Sequence, residues 1–190
     1  MTAAGAAPAE HGAPRDATLA RRIAAVLRDV PDFPEPGIVF KDIAGLLADA
    51  TLFADVSRGL AADVPAGGVD LIAGVEARGF LFAGALAREL GCGVVPVRKA
   101  GKLPPPTLRR SYALEYGTAD IEVPVGLMTN RRVLLVDDVL ATGGTMRAAA
   151  DLVTESGGTV TGFALVVELG FLGGRDALAA LAPVTSLLRL

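Results

Sequence analysis

The sequence predicts an α/β fold: a doubly wound, mostly parallel sheet with helices on both faces. Short apolar runs typical of buried strands alternate with segments of helical periodicity. The runs lie at residues 69–76, 94–97, 132–138 and 161–169. Helices flanking nearly continuous apolar strands favour a parallel sheet that is covered on both faces. No internal repeat or linker is visible, so residues 17–190 are expected to form a single domain.

Four helices are predicted from the spacing of apolar residues, at 17–29, 52–64 with Thr51 as N-cap, 80–91 ending at Gly91, and 145–156. Three consecutive prolines, Pro104 to Pro106, predict an irregular segment over 99–110. Residues 111–123 are typical of a hairpin that turns near Gly117, and a short helix and a strand at 185–190 complete the chain.

Composition excludes several classes of function. The formal net charge of −3 argues against binding nucleic acid by bulk electrostatics. No run approaches the ~18 apolar residues of a membrane span. Residues 1–16 lack the features of a secretion signal, and their Ala, Gly and Pro content predicts a disordered tail. The lone cysteine, Cys92, fits the reducing cytoplasm, and the lone histidine, His11, lies in the tail.

A doubled carboxylate marks the expected ligand-binding edge. Ligands of doubly wound sheets bind beyond the carboxyl ends of the strands. There Asp137 and Asp138 precede a loop and a predicted helix, so that helix N–H groups and the helix dipole can bind a phosphate. The loop residues expected to bind it are Ala141, Thr142, Gly143, Gly144 and Thr145. The two acids can accept hydrogen bonds from vicinal hydroxyls, so the pattern predicts a ribose phosphate ligand. The simpler alternative is a capped helix start.

The segment 133–145, VLLVDDVLATGGT, resembles the phosphoribosyl pyrophosphate (PRPP) motif of type I phosphoribosyltransferases. Four further segments resemble adenine phosphoribosyltransferases: DFPEPGIVFKDI (32–43), GVEARGFLFA (74–83), VRKAGKLPPPT (97–107) and SYALEYG (111–117). The resemblance covers roughly residues 20 to 170. It implies the type I phosphoribosyltransferase fold with a small flexible hood hairpin over the site.

The resemblance assigns pyrophosphate to a set of basic residues and one tyrosine: Arg78, Arg98, Lys99, Lys102 and Tyr116. Arg98 is implied to act across a dimer interface, and a strained non-proline peptide bond is implied at Glu76–Ala77. From the residues alone, Arg78 fits a surface salt bridge as well, and 98–102 fits an ordinary solvated basic loop.

Adenine is implied to stack on Phe40, with the backbone near Val39 and Lys41 reading its edge and Leu169 covering its other face. Phenylalanine is also a common core residue, so the residues alone leave Phe40 open. The resemblance implies Glu115, on the hairpin, as the acid–base group, and a carboxylate is also what the folded part of the sequence offers. From the residues alone, Glu115 also fits the outward face of a solvated hairpin.

The implied reaction joins adenine to PRPP, giving AMP and pyrophosphate, with Mg²⁺ held by PRPP and not directly by protein ligands. A homodimer is also implied. Two alternatives remain: a phosphoribosyltransferase for another base, and a PRPP-binding regulator of transcription on the same fold. The short, irregular N-terminal segment and the acidic balance of the chain disfavour the regulator.

Overall fold

A computed structural model of the chain describes residues 17–113 and 118–190. The helices are α1 (Ala17–Val26), α2 (Ala44–Ala48), α3 (Ala50–Ala61), α4 (Gly79–Leu90), α5 (Gly144–Glu155) and α6 (Gly174–Ala179), with a 3₁₀ turn at Gly170–Leu172. The strands are β1 (Arg28–Pro31), β2 (Val39–Asp42), β3 (Leu71–Val75), β4 (Gly93–Lys99), β5 (Thr107–Ala113), β6 (Thr118–Pro124), β7 (Arg132–Leu140), β8 (Thr159–Glu168) and β9 (Val184–Arg189). No helix in these two ranges is long and apolar enough to cross a membrane.

Seven strands form the central sheet in the order β5-β6-β4-β3-β7-β8-β9. Strands β4, β3, β7, β8 and β9 are parallel, whereas β6 pairs antiparallel with both β4 and β5. The predicted parallel sheet and the antiparallel pairing of the predicted hairpin are therefore confirmed, whereas the predicted turn near Gly117 lies outside the described residues. The chain leaves β3 towards β4 on one side and later returns to β7 on the other, so the switch point of the topology lies between β3 and β7.

Two hydrophobic cores cover the two faces of this sheet. The first joins α1, α3 and α4 to β7 and β8, with Ile23, Leu60 and Phe82 fully buried. The second packs α5 against the opposite face, where Met146 and Val153 meet buried residues of the same strands. Helices on both faces, as predicted, thus follow from strands that are apolar on both sides.

The first helix is shorter than predicted. Apolar spacing extends it to residue 29, but α1 ends at Val26, and Arg28–Pro31 pairs with β2 in a separate antiparallel ribbon. Val30 precedes Pro31, and a proline disfavours the helical conformation of the residue before it. The steric effect of Pro31 and the pairing with β2 therefore end the helix earlier than the spacing of apolar residues predicts.

Three further boundaries correct the sequence prediction. Asp49, not Thr51, caps α3, because its side chain accepts a hydrogen bond from the Leu52 N–H. The segment predicted to be irregular becomes regular at Thr107, one residue after the last proline, where β5 begins to pair with β6. Strand β7 does not end at the two acids, because its pairing with β8 continues to Leu140.

Candidate active site

The candidate site lies where the carboxyl ends of β3 and β7 meet at the switch point of the sheet. The segment after β3 leads directly into α4, and β7 leads through residues 141–145, here called the glycine loop, into α5. Residues 99–106, which start at the last residue of β4, are called the basic loop. Because β3 pairs with both β4 and β7, all three segments emerge at one edge of the sheet.

The two aspartates of β7 differ in their surroundings. Asp138 is only 4% exposed, and its Oδ2 lies 2.9 Å from Arg78 Nε. The angles of this contact do not make a hydrogen bond, and Oδ2 is a buried acceptor without a hydrogen-bond partner. Asp137 is half-buried and accepts a 2.9 Å hydrogen bond from the Asp138 N–H. Burial, followed by the neighbouring charge of Asp138, raises the pKa of Asp137 well above its ordinary value.

The glycine loop turns sharply into the first turn of α5. Gly143 is the N-cap residue and has a φ of +86°, a conformation that glycine adopts without steric cost. A Cβ atom on Gly143 would lie 2.9 Å from the carbonyl oxygen of Gly174. The neighbouring chain at Gly174 is therefore a structural reason for this glycine, besides the access for a phosphate that the sequence indicates. No side chain caps α5, so its first N–H groups are open to an anion.

Arg78 connects the acids to an aromatic pair. Its guanidinium lies 4.7 Å from the centre of the Phe40 ring, besides its contact with Asp138. Phe40 packs edge-on against Phe33, with ring centres 5.2 Å apart. Phe40 is half-buried and lies outside the two cores, so the alternative that it is a core residue is wrong. The non-proline peptide bond Glu76–Ala77, which the resemblance singles out, is cis.

The basic loop is held by Glu76. Its carboxylate accepts hydrogen bonds from Arg98 Nε at 3.2 Å and from the Lys99 N–H at 2.9 Å. Burial raises the pKa of Glu76, but the bonds from Arg98 and Lys99 outweigh it and leave the pKa below the ordinary value. Glu76 therefore stays ionised beside the basic residues. The side chains of Lys99 and Lys102 are themselves exposed.

These contacts place two groups of hydrogen-bond donors near a carboxylate pair. One is the start of α5 with the glycine loop, and the other is the cationic segment around Arg78 and the basic loop. Between them, Asp137 and Asp138 offer acceptors suited to hydroxyl groups. The arrangement fits a ligand with an anionic group at each end and hydroxyls in the middle.

Comparison with known proteins identifies the group to which the chain is similar. The family profile described as "Phosphoribosyl transferase domain" matches residues 46–180. An adenine phosphoribosyltransferase of Kineococcus radiotolerans is 56% identical over 161 residues, which cover 84% of this chain and 87% of that protein. One of Mycolicibacterium gilvum is 54% identical over 171 residues, with 89% and 94% covered. The chain belongs to the adenine phosphoribosyltransferase family.

Solved structures of this family have the same fold. The adenine phosphoribosyltransferase of Rhodothermus marinus superposes with a TM-score of 0.88 at 45% identity, covering 92% of this chain and 100% of its own. That of Saccharomyces cerevisiae, solved with adenine and an imino-altritol bisphosphate, superposes with a TM-score of 0.83 at 38% identity, covering 90% and 99%. The type I phosphoribosyltransferase fold expected from the sequence is confirmed.

Several residues assigned by resemblance to this family can be located. Leu169 is buried at the end of β8, whereas Val39 is 48% exposed beside Phe40. Lys41 forms an ion pair with Asp29, with Nζ 2.7 Å from Oδ1. Thr145 donates a 3.2 Å hydrogen bond to the hydroxyl oxygen of Tyr112, which connects the start of α5 to the β5–β6 hairpin. Glu115 and Tyr116 lie outside the described residues.

Sequence reasoning missed the residues that hold these loops in place. Glu122, in β6, accepts hydrogen bonds from the basic loop, and Arg175 binds Glu168 at the end of β8. Tyr112 was likewise assigned no role. The available signal was an acid flanked by apolar residues within a strand: Glu122 lies between Ile121 and Val123, and Glu168 ends a run of buried residues.

Proposed function

We propose that this chain carries out the reaction of its family at the switch point of its sheet. The phosphoribosyl group of PRPP is transferred to adenine, and AMP and pyrophosphate are formed, which returns free adenine to nucleotides in purine salvage. The bond from the anomeric carbon to pyrophosphate breaks, and a bond from that carbon to a ring nitrogen of adenine forms. The proton of that nitrogen must leave.

The observation that carries the proposal is the series of contacts from Phe40 through Arg78 to Asp138. An aromatic ring, a cation and a buried carboxylate are brought together from three separate elements. The reaction requires these three chemistries around one anomeric carbon: a surface for the base, a positive charge for the leaving group, and a negative charge for the sugar. Much of the rate enhancement then comes from alignment of the two substrates.

The acids and the glycine loop are proposed to hold the ribose phosphate. The 5′-phosphate binds the first N–H groups of α5 and the hydroxyls of Thr142 and Thr145. The ribose hydroxyls bind Asp137 and Asp138, whose negative charge also favours the oxocarbenium-like transition state. Asp138 Oδ2 supports this role, because it is a buried acceptor without a hydrogen-bond partner, and a hydroxyl would satisfy it.

Pyrophosphate is proposed to bind Arg78, Arg98, Lys99, Lys102 and Tyr116. Arg78 is in contact with Asp138 and so lies beside the proposed ribose site. Arginine and lysine give charge-assisted hydrogen bonds to phosphate oxygens. Arg98 is also proposed to reach the site of a second copy across the interface of a homodimer.

Adenine is proposed to stack on Phe40, with Leu169 on its other face and the backbone of Val39 and Lys41 along its edge. The half-buried position of Phe40 leaves part of its ring accessible to such a ligand. Glu115 is proposed to manage the purine proton. Closure of the hairpin over the substrates would keep water from the activated sugar.

Magnesium is proposed to arrive with PRPP. Among residues 17–113 and 118–190, no group of three or more His, Cys, Asp or Glu side chains is placed to hold a metal ion. The acceptors of Asp137 and Asp138 nevertheless fit the ribose hydroxyls and the water shell of such an ion. When bound, the ion would offset negative charge on the pyrophosphate leaving group. The substrates are small molecules, with neither nucleic acid nor membrane as partner, and the enzyme would act in the cytoplasm.

Product formation with a panel of bases tests the proposal. The protein is incubated with PRPP, Mg²⁺ and one of adenine, hypoxanthine, guanine, xanthine or orotate, and nucleotides are separated by chromatography. We expect AMP from adenine and little product from the other bases. Turnover of another base would overturn the assignment of Phe40 and its neighbours, and no product with PRPP still bound would favour the regulator.

The Glu115→Gln variant, purified in parallel, should bind PRPP with unchanged affinity and lose about a hundredfold or more in kcat, the range expected for a positioned acid–base group. It also serves as the control for contaminating activity. Full turnover in this variant would exclude Glu115 as the acid–base group.

A further inference from the structure

Glu122 is a buried carboxylate near the site that the proposed reaction does not use. Glu122 lies in β6, opposite Arg98 of β4 and Arg109 of β5 in the strand register. Its neighbours Ile121 and Val123 face the second core, so Glu122 points to the other face of the sheet. It is nevertheless only 1% exposed, because the basic loop and its flanking residues fold over it.

Four donors surround this carboxylate. Oε1 accepts hydrogen bonds from the backbone N–H groups of Lys102 and Leu103, both at 2.9 Å. Oε2 accepts from the Thr107 hydroxyl at 3.2 Å and from Arg109 at 3.4 Å. An ionised carboxylate has about four acceptor positions, so it matches this set of donors. The bonds from Leu103 and its neighbours lower the pKa of Glu122, which keeps it ionised.

The peptide units on both sides of Lys102 are therefore held. Its N–H donates to Glu122, and its carbonyl oxygen accepts a 3.1 Å hydrogen bond from Arg98, whose guanidinium also binds Glu76. The Lys102 side chain is exposed. Two carboxylates thus fix the main chain of the basic loop and leave the ammonium group of Lys102 to meet a ligand.

We propose that Glu122 is a positioning residue for the pyrophosphate subsite, an inference that rests on the proposed function for the identity of the ligand. Glu122 does not touch the substrate. It sets the position of Lys102 through the backbone, so that the cation meets the pyrophosphate group of PRPP. Its effect is confined to ligands that carry pyrophosphate, because the glycine loop has its own supports.

The test compares three ligands on Glu122→Gln. An amide has one acceptor oxygen, and its NH₂ group would face a donor, so the four-donor arrangement is lost. By calorimetry without adenine, we expect the affinities for PRPP–Mg²⁺ and for pyrophosphate–Mg²⁺ to fall between about tenfold and hundredfold, the scale of a misplaced binding group. The affinity for AMP, which lacks pyrophosphate, should stay within about twofold.

Asp70→Asn is the matched control. Asp70 accepts hydrogen bonds from the backbone N–H and the guanidinium of Arg132 at the amino end of β3 and β7, remote from the site. This variant loses a similar set of contacts and should bind all three ligands as the unchanged protein does. If it weakens pyrophosphate binding equally, or if Glu122→Gln weakens AMP binding equally, the role of Glu122 is general stability and the inference is wrong.

A double-mutant cycle with Lys102→Met sharpens the result. If Glu122 acts through Lys102, then Glu122→Gln should cost little additional pyrophosphate affinity once the ammonium group is absent. Fully additive losses would overturn the inference.

Should Glu122→Gln fail to fold, Thr107→Val and Arg109→Met each remove one donor, and a smaller loss of pyrophosphate affinity with unchanged AMP affinity is expected from both. No loss in either would contradict the inference.

These outcomes are separable from failure of the proposed function. Ligand binding is measured without turnover, so a protein that forms no AMP from adenine still reports on Glu122. If the protein makes AMP but its Glu122→Gln variant binds pyrophosphate normally, the proposed function stands and the inference about Glu122 is wrong.

Discussion

The glycine loop and the basic loop have similar proposed tasks but are held in different ways. The glycine loop follows a central strand with parallel partners on both sides, and the chain at Gly174 packs so closely against Gly143 that a Cβ atom has no room there. The basic loop follows β4 beside an antiparallel hairpin, and its backbone is bound by the carboxylates of Glu76 and Glu122. One loop depends on close backbone packing, and the other on buried acids.

This difference determines which substitutions each loop tolerates. A loop that is held by contact between backbones is disrupted by an added Cβ atom. A loop that is held by carboxylates is disrupted when an acceptor is removed, while its own side chains remain replaceable.

The largest effect should come from Arg175→Met, which removes the support behind the glycine loop. Arg175 follows Gly174 and binds Glu168, which is 1% exposed; its Nη1 also donates to the Val184 carbonyl oxygen at 2.7 Å. Breaking such a pair leaves a buried charge without its main partner, and we expect a loss of roughly 3 kcal/mol in the free energy of unfolding. Urea titration followed by circular dichroism measures it.

Arg189→Met is the control for this variant. Arg189 is half-exposed and lies 3.3 Å from the same carboxylate, so its removal should cost less than about 1 kcal/mol. Equal urea midpoints for the two variants would show that the buried pair with Arg175 is not a particular support of this region.

The second prediction compares one glycine from each loop. Gly143 and Gly101 have φ angles of +86° and +81°, so alanine costs about 1 kcal/mol at either position from backbone conformation alone. A Cβ on Gly143 would also meet the backbone of Gly174, whereas a Cβ on Gly101 would meet no atom within 4 Å. Gly143→Ala should therefore cost roughly 2–3 kcal/mol in total and weaken AMP binding.

Gly101→Ala should cost only the roughly 1 kcal/mol that comes from backbone conformation, and it should leave AMP binding unchanged. Thermal unfolding and AMP titration of both variants measure the difference. Similar losses at the two positions would mean that the glycine loop can move away from Gly174, and the contrast between the loops would fail.

The smallest effect concerns pH, where the acids of the two regions should respond in opposite directions. The native pKa of Asp137 is raised, so the folded protein holds a proton that the unfolded chain releases near pH 3.8. Stability from this group is therefore lost as the pH rises from that value through the native pKa. Asp137→Asn should remove this slope and leave the variant more stable than the unchanged protein on the alkaline side.

The pKa of Glu122 is lowered from 4.5, so its contribution is present above pH 4.5 and is lost as the pH falls through the native pKa. Glu122→Gln should thus be less stable than the unchanged protein near neutral pH, with a difference that shrinks in acid. Thermal midpoints between pH 3 and 9 compare the two variants. The difference in thermal midpoint between variant and unchanged protein should change with pH in opposite directions for the two variants. A change in the same direction would contradict the raised pKa of Asp137 or the lowered pKa of Glu122.

Much of the architecture was predictable because it depends on periodicity. Apolar runs and helical spacing located most elements of the central sheet, and Gly91 marked the end of α4. Boundaries failed where a local rule or a distant partner decided the outcome, as after Val26, where the first helix gives way to a strand that pairs with β2. The end of β7 failed likewise, because its pairing with β8 continues past the two acids to Leu140.

The candidate site likewise has a part that the sequence predicts and a part that it does not. Asp137, Asp138 and the glycine loop form a contiguous motif, so the sequence displays them together. The contact of Arg78 with both Asp138 and Phe40 joins residues far apart in the chain, and no spacing rule predicts it. Glu122 was missed for a related reason: two of its four partners are backbone N–H groups, which leave no trace in side-chain patterns.

The way Lys102 is held has a consequence for variation at that position. Both of its neighbouring peptide units are bound through main-chain atoms, while its side chain lies in solvent. Folding of the loop therefore places little demand on which amino acid stands there. A library of residues other than proline at position 102 should yield mostly folded proteins, which under the proposed function would differ in their affinity for pyrophosphate.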